Sequence, residues 1–95
     1  MSWFVYIAEC ADRSLYTGIT TNPEQRLKRH NLGKGSKYVR RKGPAVLVYV
    51  EPRSSKSAAR RREMEIKSWN RYQKLALVAK GADKAAVTKG VLNVP

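Results

Sequence analysis

Hydrophobic residues along this chain fall into three short runs of strand type, separated by charged segments with helical spacing. The first two runs lie in residues 4–20, FVYIAECADRSLYTGIT, where ADRS supplies the turn of a hairpin. Gly18 interrupts the second run, and a glycine inside a strand usually marks a bulge or a close backbone approach. The third run, residues 44–52, is β-branched, apolar on both faces and bounded by prolines, which favours a central or best-covered strand.

Three further segments carry the signals of helices. Asn22 is a suitable N-cap, Pro23 fits the first helical position, and Gln25 stands where a capping box places Glu or Gln. Serines precede the second segment, and Asn70 can cap the third. The predicted helices span residues 23–32, 58–69 and 71–80. The order of elements is therefore strand, strand, helix, strand, helix, helix.

The length of 95 residues allows one small domain with a single core. We assign residues 1–80 to this domain, and we predict that residues 81–95, which have a weak pattern, form a partly mobile tail. No apolar run approaches the ~18 residues of a membrane span, and no signal-peptide pattern opens the chain. The single cysteine, Cys10, cannot form an internal disulfide. We therefore expect a cytoplasmic protein with no membrane partner.

Positive charge is the strongest global feature of the chain. Twenty Lys and Arg against seven Asp and Glu give a formal net charge of +13, spread over the whole sequence. A domain of this size repels itself at such a charge unless a polyanion is its normal partner. Nucleic acid is the first expectation and an anionic membrane surface the second. Tyrosines and tryptophans interleaved with the basic residues favour nucleic acid.

The second predicted helix places a carboxylate on its inward side. Glu63 lies four residues after Ala59 and three before Ile66, so it points toward the side that is buried. Glu65 is rotated by about 200° from Glu63 and faces water. A carboxylate directed at a core needs a cation, either a metal ion or an arginine. Helix geometry alone leaves open whether Glu63 is a metal ligand or half of an ion pair with Arg26 or another arginine.

Several of these residues together resemble the motifs of the GIY-YIG nuclease superfamily. FVY, residues 4–6, stands where the family has GIY, and YTG, residues 16–18, stands where it has YIG. RLKRH supplies the family's helical arginine as Arg26, with His30 one turn later. RREMEIK places Glu63 where the family has its metal-binding glutamate.

The resemblance covers residues 3–78 and is closest to small stand-alone bacterial GIY-YIG proteins, then to the nuclease domain of Slx-type endonucleases. It implies an α+β fold, with a three-stranded antiparallel sheet flanked by helices in the order β-β-α-β-α-α. One departure concerns substrate range and efficiency. Many members carry an Asn about a dozen residues after the glutamate, where this chain has Leu75.

The resemblance also implies the roles of the two tyrosines. Tyr6 or Tyr16 would activate or orient the attacking water, and we rank Tyr6 first as proton acceptor. A free phenol has a pKa near ~10, and a basic site with Arg26 and a metal ion nearby is expected to lower it. Gly18 would let the backbone approach the scissile phosphate, or let Tyr16 turn correctly.

The remaining roles fall on one arginine, one histidine and one glutamate. Arg26 would clamp the phosphate with its planar fork, which a lysine cannot match. His30 would relay a proton or touch the phosphate. Glu63 would hold a single Mg²⁺ or Mn²⁺ ion that keeps several waters. Residues expected to hold the DNA backbone are Arg29, Lys34, Lys37, Tyr38, Arg40, Arg41 and Lys67.

Together these residues predict a metal-dependent DNA endonuclease of low sequence specificity, acting on branched, nicked or single-stranded DNA in repair or recombination. Two alternatives stay open. One is a catalytically weak nucleic-acid-binding module on the same fold. The other is a basic accessory protein that acts on RNA or on a protein partner. The sequence does not indicate whether the protein is a monomer or a dimer.

Overall fold

Three strands form one antiparallel sheet in the computed structural model, which describes residues 2–32 and 44–81. Their bounds are Trp3–Cys10 for β1, Leu15–Thr20 for β2 and Ala45–Arg53 for β3. The spatial order is β2-β1-β3, so β1 is central and pairs with both neighbours. The prediction that the third strand is the central or best-covered one is therefore wrong, because β1 is both. Val5, Tyr6, Ile7 and Ala8 of β1 are all 0% exposed.

Three helices complete the order β-β-α-β-α-α, which confirms the predicted α+β fold. Their bounds are Pro23–Asn31 for α1, Lys56–Lys67 for α2 and Arg71–Gly81 for α3. Helix α2 begins two residues before the predicted start because Ser55 Oγ caps it, accepting a hydrogen bond of 3.1 Å from the Ala58 N–H. The side chain of Asn22 caps α1.

Asn70 begins α3 with a complete capping box. Its side chain accepts a hydrogen bond of 2.9 Å from the Gln73 N–H, and Gln73 Oε1 accepts one of 3.0 Å from the Asn70 N–H. The helix ends at Gly81, which lies against a ring of the sheet. A Cβ atom at Gly81 would stand 2.4 Å from Cδ1 of Tyr49, so only glycine allows this approach.

The two faces of the sheet pack against different helices. On one face Val5 and Ile7 form a core cluster with residues of α2 and α3, including Ala59 and Ile66. On the other face Tyr6 and its neighbours pack against Leu27 of α1; this cluster contains Tyr6, Ala8, Cys10, Ala45 and Leu47. Because side chains alternate along a strand, β1 contributes to both faces, and both are covered.

A register shift in β3 sets which of its side chains reach each face. Ile7 pairs with Tyr49 and Ala8 pairs with Leu47, so Val48 is an extra residue of the bulged strand. Leu47 packs on the α1 face, whereas Tyr49 packs on the face covered by α2 and α3. The bulge thus turns Tyr49 toward α2.

Glu51 joins β3 to α2 through a buried polar network. Its carboxylate accepts a hydrogen bond of 2.5 Å from the Tyr49 hydroxyl and one of 3.0 Å from Arg62 Nε, and it also pairs with Arg53. Burial raises the pKa of Glu51, but the hydrogen bonds from Tyr49 and Arg62 outweigh it and hold the pKa below its ordinary value. Burial, followed by the hydrogen bond to Glu51 and its negative charge, raises the pKa of Tyr49 to about 12, and Arg62 opposes the rise only in part.

Of the predicted tail, residues 81–95, Gly81 is the last residue of α3 and residues 82–95 lie outside the described residues, so the division at residue 80 stays a prediction. Within the described residues no helix is long and apolar enough to cross a bilayer.

Glu51→Gln should lower the free energy of unfolding by about 2–3 kcal/mol, because the half-buried guanidinium groups of Arg53 and Arg62 lose their charged acceptor. Glu65→Gln is the matched control. Glu65 also pairs with Arg62 but is 54% exposed, so its loss should cost less than about 1 kcal/mol. Urea unfolding of the three proteins at neutral pH measures both effects.

The stability of the Glu51→Gln variant should also depend on pH differently from that of the wild type. Because the folded-state pKa of Glu51 is lowered, its contribution to stability is present above its unfolded pKa and is lost as the pH falls below it. Acid destabilisation should therefore be shallower in Glu51→Gln than in the wild type. Two results would contradict this account of the network. One is an equal loss of stability with falling pH in Glu51→Gln and the wild type. The other is an equal loss of unfolding free energy in Glu51→Gln and Glu65→Gln.

Candidate active site

Tyr6 of β1 lies directly across the hairpin from Gly18 of β2, and its ring covers that glycine. A Cβ atom at position 18 would stand 2.7 Å from the Tyr6 hydroxyl oxygen and 2.9 Å from Cζ. No side chain fits in this space while the ring stays in place. The structure therefore gives Gly18 a role in accommodating Tyr6, a different reason from the two that the sequence suggests.

The Tyr6 phenol is buried on the sheet face that α1 covers. The residue is 0% exposed, and its hydroxyl has no hydrogen-bond partner of good geometry among the described residues. Burial raises the pKa of Tyr6 well above its ordinary value, and Tyr16 adds to the rise, whereas Arg26 lies near enough to oppose it in part. The expected lowering of this pKa is therefore not found, because desolvation outweighs the arginine.

Tyr16 of β2 is half-buried and links Tyr6 to α1. Its ring centroid lies 6.2 Å from that of Tyr6 and 5.5 Å from that of His30, which it meets edge to face at 81°. The two phenols therefore differ in access, since solvent and ligands can reach Tyr16 but not Tyr6.

Helix α1 turns two of its basic side chains toward this pair of tyrosines. His30 is buried at 4% exposure, and burial, followed by Arg26 and Arg29, lowers its pKa, so the imidazole is neutral at pH 7. Its Nδ1 has no partner in the described parts of the chain. Arg26 is half-buried on the same side, whereas Arg29 is exposed to solvent.

Glu63 reaches the same site from α2. Its side chain is 15% exposed, and it lies close enough to Tyr6 to raise the pKa of that phenol. Its partner is Lys67, whose Nζ lies 3.2 Å from Glu63 Oε2. Neither Arg26 nor another arginine of the described segments pairs with Glu63, so the alternative of an ion pair is realised with a lysine one turn away. Glu65, as expected, is exposed.

The donor set at Glu63 is suited to a hydrated divalent ion. In residues 2–32 and 44–81 no three His, Cys, Asp or Glu side chains converge into a protein-only metal site. Mg²⁺ needs no such cage, because it usually keeps several waters and binds through one or two carboxylates and substrate phosphates. A single carboxylate that is 15% exposed, held near cationic groups that attract phosphate, fits that requirement.

The other residues predicted to contact the DNA backbone divide into two groups. Lys67 lies at the site, as its pairing with Glu63 shows. Five residues predicted to hold DNA fall outside the described residues: Lys34, Lys37, Tyr38, Arg40 and Arg41.

Lys74 is a residue of the site that was not predicted from the sequence. The structure brings it next to Tyr16 and Lys67. Its placement depends on the turn between α2 and α3, for which no periodicity in the sequence gives a signal.

The amino-acid sequence of this chain is similar to a known domain family and to several known proteins. The sequence profile of the GIY-YIG catalytic domain matches residues 2–76. A UPF0213 protein of Staphylococcus haemolyticus is 57% identical over 75 residues, which is 79% of this chain and 92% of that protein. One of Haloquadratum walsbyi is 50% identical over 80 residues, or 84% and 90% of the two chains.

Solved structures show the same fold. The NMR structure of a UPF0213 protein from Bacillus halodurans matches with a TM-score of 0.56 and 48% identity, covering 85% of this chain and 87% of that one. The NMR structure of a protein from E. faecalis matches with a TM-score of 0.61 and 34% identity, over 88% and 90%. The names of these relatives record no measured activity.

Gly18→Ala should destabilise the fold by about 1–3 kcal/mol, because the new methyl group overlaps the Tyr6 phenol. The nearest atom is the hydroxyl oxygen, so the same substitution should cost less in a Tyr6→Phe background. A double-mutant cycle by chemical denaturation should give a coupling of at least about 0.5 kcal/mol. Equal costs in the two backgrounds would show that the hydroxyl oxygen is not the atom that limits the space, because the ring carbons, the next nearest atoms, are present in both.

Proposed function

The chain belongs to the GIY-YIG family, and on this premise we propose that it is a divalent-metal-dependent DNA endonuclease of low sequence specificity. A GIY-YIG nuclease domain implies a nucleic-acid substrate and a nuclease-type hydrolase. The observation that carries the proposal is the convergence of side chains from four elements. Tyr6 comes from β1, Tyr16 from β2, Arg26 with His30 from α1, and Glu63 from α2.

Hydrolysis of a phosphodiester needs an activated water, neutralisation of charge at phosphorus and help for the leaving oxygen. Arg26 supplies the second requirement. Its half-buried guanidinium faces the tyrosines and offers two parallel donors to the phosphate oxygens. Arg29 is exposed on the same helix and contributes only to general attraction of the backbone.

Tyr16 is the phenol that contacts the water and the phosphate. It is the accessible member of the pair, and its ring meets the neutral imidazole of His30, which is able to take up a proton. Ionisation of Tyr6 is disfavoured, because burial raises the pKa of its hydroxyl. We therefore reverse the ranking from the sequence and assign Tyr6 to positioning Tyr16 and Arg26.

Glu63 would hold the divalent ion that GIY-YIG nucleases generally require, Mg²⁺ or Mn²⁺, which supplies charge stabilisation for the leaving oxygen. This role requires Lys67 to give up its place beside the carboxylate. Lys67 is 54% exposed and gains hydration when it leaves, so the exchange costs little.

Low sequence specificity is supported by charge. A net charge of +13 favours contacts with phosphates, which give affinity without reading bases. We extend the proposal to branched, nicked or single-stranded DNA and to repair or recombination in the cytoplasm, on the resemblance to Slx-type nuclease domains. RNA is the alternative substrate, and cleavage of RNA in preference to DNA would redirect the proposal.

Tyr16→Phe should lower the cleavage rate by about 10² or more, since it removes the hydroxyl of the more exposed tyrosine while the ring still packs. Tyr6→Phe should reduce the rate less and melt close to the wild type, because the buried hydroxyl that it deletes lies near Arg26 but makes no hydrogen bond of good geometry. Single-turnover cleavage and thermal melts measure the two effects. A loss in Tyr6→Phe as large as that in Tyr16→Phe would mean that the buried phenol takes part directly.

Glu63→Gln should abolish metal-stimulated cleavage and leave DNA binding equal or tighter, because one negative charge is removed near the phosphate. Glu65→Gln removes the same charge two residues away on the exposed face and should cleave normally. The test incubates each protein with plasmid, flap, fork and single-stranded DNA and with RNA, with and without Mg²⁺ or Mn²⁺.

Thermal melts separate catalysis from folding in this experiment. The Glu63 pair with exposed Lys67 contributes less than about 1 kcal/mol, so Glu63→Gln should melt close to the wild type. Metal-stimulated cleavage by Glu63→Gln at the wild-type rate would exclude the metal role. Tight binding with no cleavage by the wild type on any substrate would instead assign the chain to the non-catalytic alternative.

A further inference from the structure

A shallow, open depression of about 240 Å³ lies beside the tyrosine pair, at the edge of the sheet. Its walls are Leu15, Tyr16 and Thr17 of β2, Lys67 at the end of α2 and Lys74 of α3. Strand β2 is an edge strand, so no neighbouring strand covers this side of the described fold. Tyr16 belongs both to the depression and to the candidate active site, so a ligand in one borders the other.

The depression is basic and has little counter-charge of its own. Lys67 shares its charge with Glu63 at 3.2 Å. Lys74 is half-buried, and in the described ranges no carboxylate lies within salt-bridge distance of it. A half-covered ammonium group that lacks an anionic partner favours an external anion, because partial burial weakens screening by water.

The wall also contains a hydroxyl with no bonding partner. Thr17 is 4% exposed, and its Oγ1 makes no hydrogen bond within the described part of the chain. A buried hydroxyl without a partner is uncommon and carries a desolvation cost. Thr17 lines the depression, but this oxygen is itself covered, so an acceptor on a ligand would reach it only after the side chain rotates.

We infer that Lys67 and Lys74 form a phosphate-binding subsite for the nucleic-acid backbone, next to the phosphate that is cleaved. This inference rests on the proposed function, because it takes the scissile phosphate to lie against Tyr16 and Arg26. The ligand is a phosphate of a polynucleotide strand rather than a small enclosed metabolite, since the depression is open and runs along the edge of β2. Lys74 is thereby a substrate-positioning residue that sets the path of the strand.

Lys74, rather than Lys67, is the residue that isolates this subsite. Substitution of Lys67 would also leave Glu63 without its partner, so two effects would be mixed. Lys80 provides the matched control. It lies on the same helix and carries the same charge, but it is exposed and lines a different depression, beside Trp69.

The experiment measures binding of a short fluorescein-labelled single-stranded DNA by anisotropy, in EDTA, as KCl rises from about 50 to 200 mM. Lys74→Gln should weaken binding at low salt by about three- to tenfold and lower the slope of log affinity against log salt by about 0.7, the loss of one phosphate contact to single-stranded DNA. Lys80→Gln should weaken binding by no more than about twofold, as a peripheral cation does.

Because no divalent ion is present, the outcome does not depend on cleavage. A protein that binds as described but never cuts DNA would retain the subsite while the proposed nuclease function fails. Equal weakening by Lys74→Gln and Lys80→Gln, with equal salt slopes, would overturn the subsite and make Lys74 one surface cation among many. Competition by inorganic phosphate as strong as that by DNA phosphates would also overturn it, because the depression would then bind a free anion and not a strand.

Discussion

The packing of the Tyr6 ring on the backbone of Gly18 is the constraint on which the rest of the site depends. It fixes the register of the hairpin, because only one residue of β2 lacks the side chain that the ring would displace. It also decides the chemistry of that phenol. The ring, which lies against Gly18 of β2, is fully buried, and burial raises the pKa of the phenol despite the nearby arginine. The accessible position on the second strand is then left to Tyr16.

Two carboxylates close to α2 are used in different ways. Glu51, on β3, is 12% exposed and is held by Tyr49, Arg53 and Arg62, so its charge is fully matched by the protein. Glu63, on α2 itself, is nearly as well covered, but among the described residues it has one ion-pair partner, Lys67, whose side chain is 54% exposed. A carboxylate of the first kind stabilises the fold and has no capacity for a ligand. One of the second kind can exchange its cation at small cost.

Local signals predicted the elements well and the strand order poorly. Asn22 and Asn70 cap their helices as expected, because capping involves only neighbouring residues. The apolar run of β3 does not show whether the strand is central, since the bulge at Val48 lets an edge strand feed both cores. The motif residues are recognisable in the sequence, but the pKa of Tyr6 is not, because it depends on tertiary burial.

The charges at the site form a set suited to a phosphodiester. Tyr6, with its raised pKa, and His30, with its lowered pKa, are both neutral at pH 7, so neither adds charge. The described charged groups around the tyrosines are Arg26, Lys67, Lys74 and Glu63, which leave two net positive charges. Each phosphodiester carries one negative charge, so two adjacent phosphates of a strand would bring the set to neutrality. The groups at the centre of the site, the two tyrosines and His30, are aromatic, and the cations lie around them. Such a site attracts the phosphate backbone without a large surplus of positive charge. A divalent ion at Glu63 is then compatible with the bound backbone.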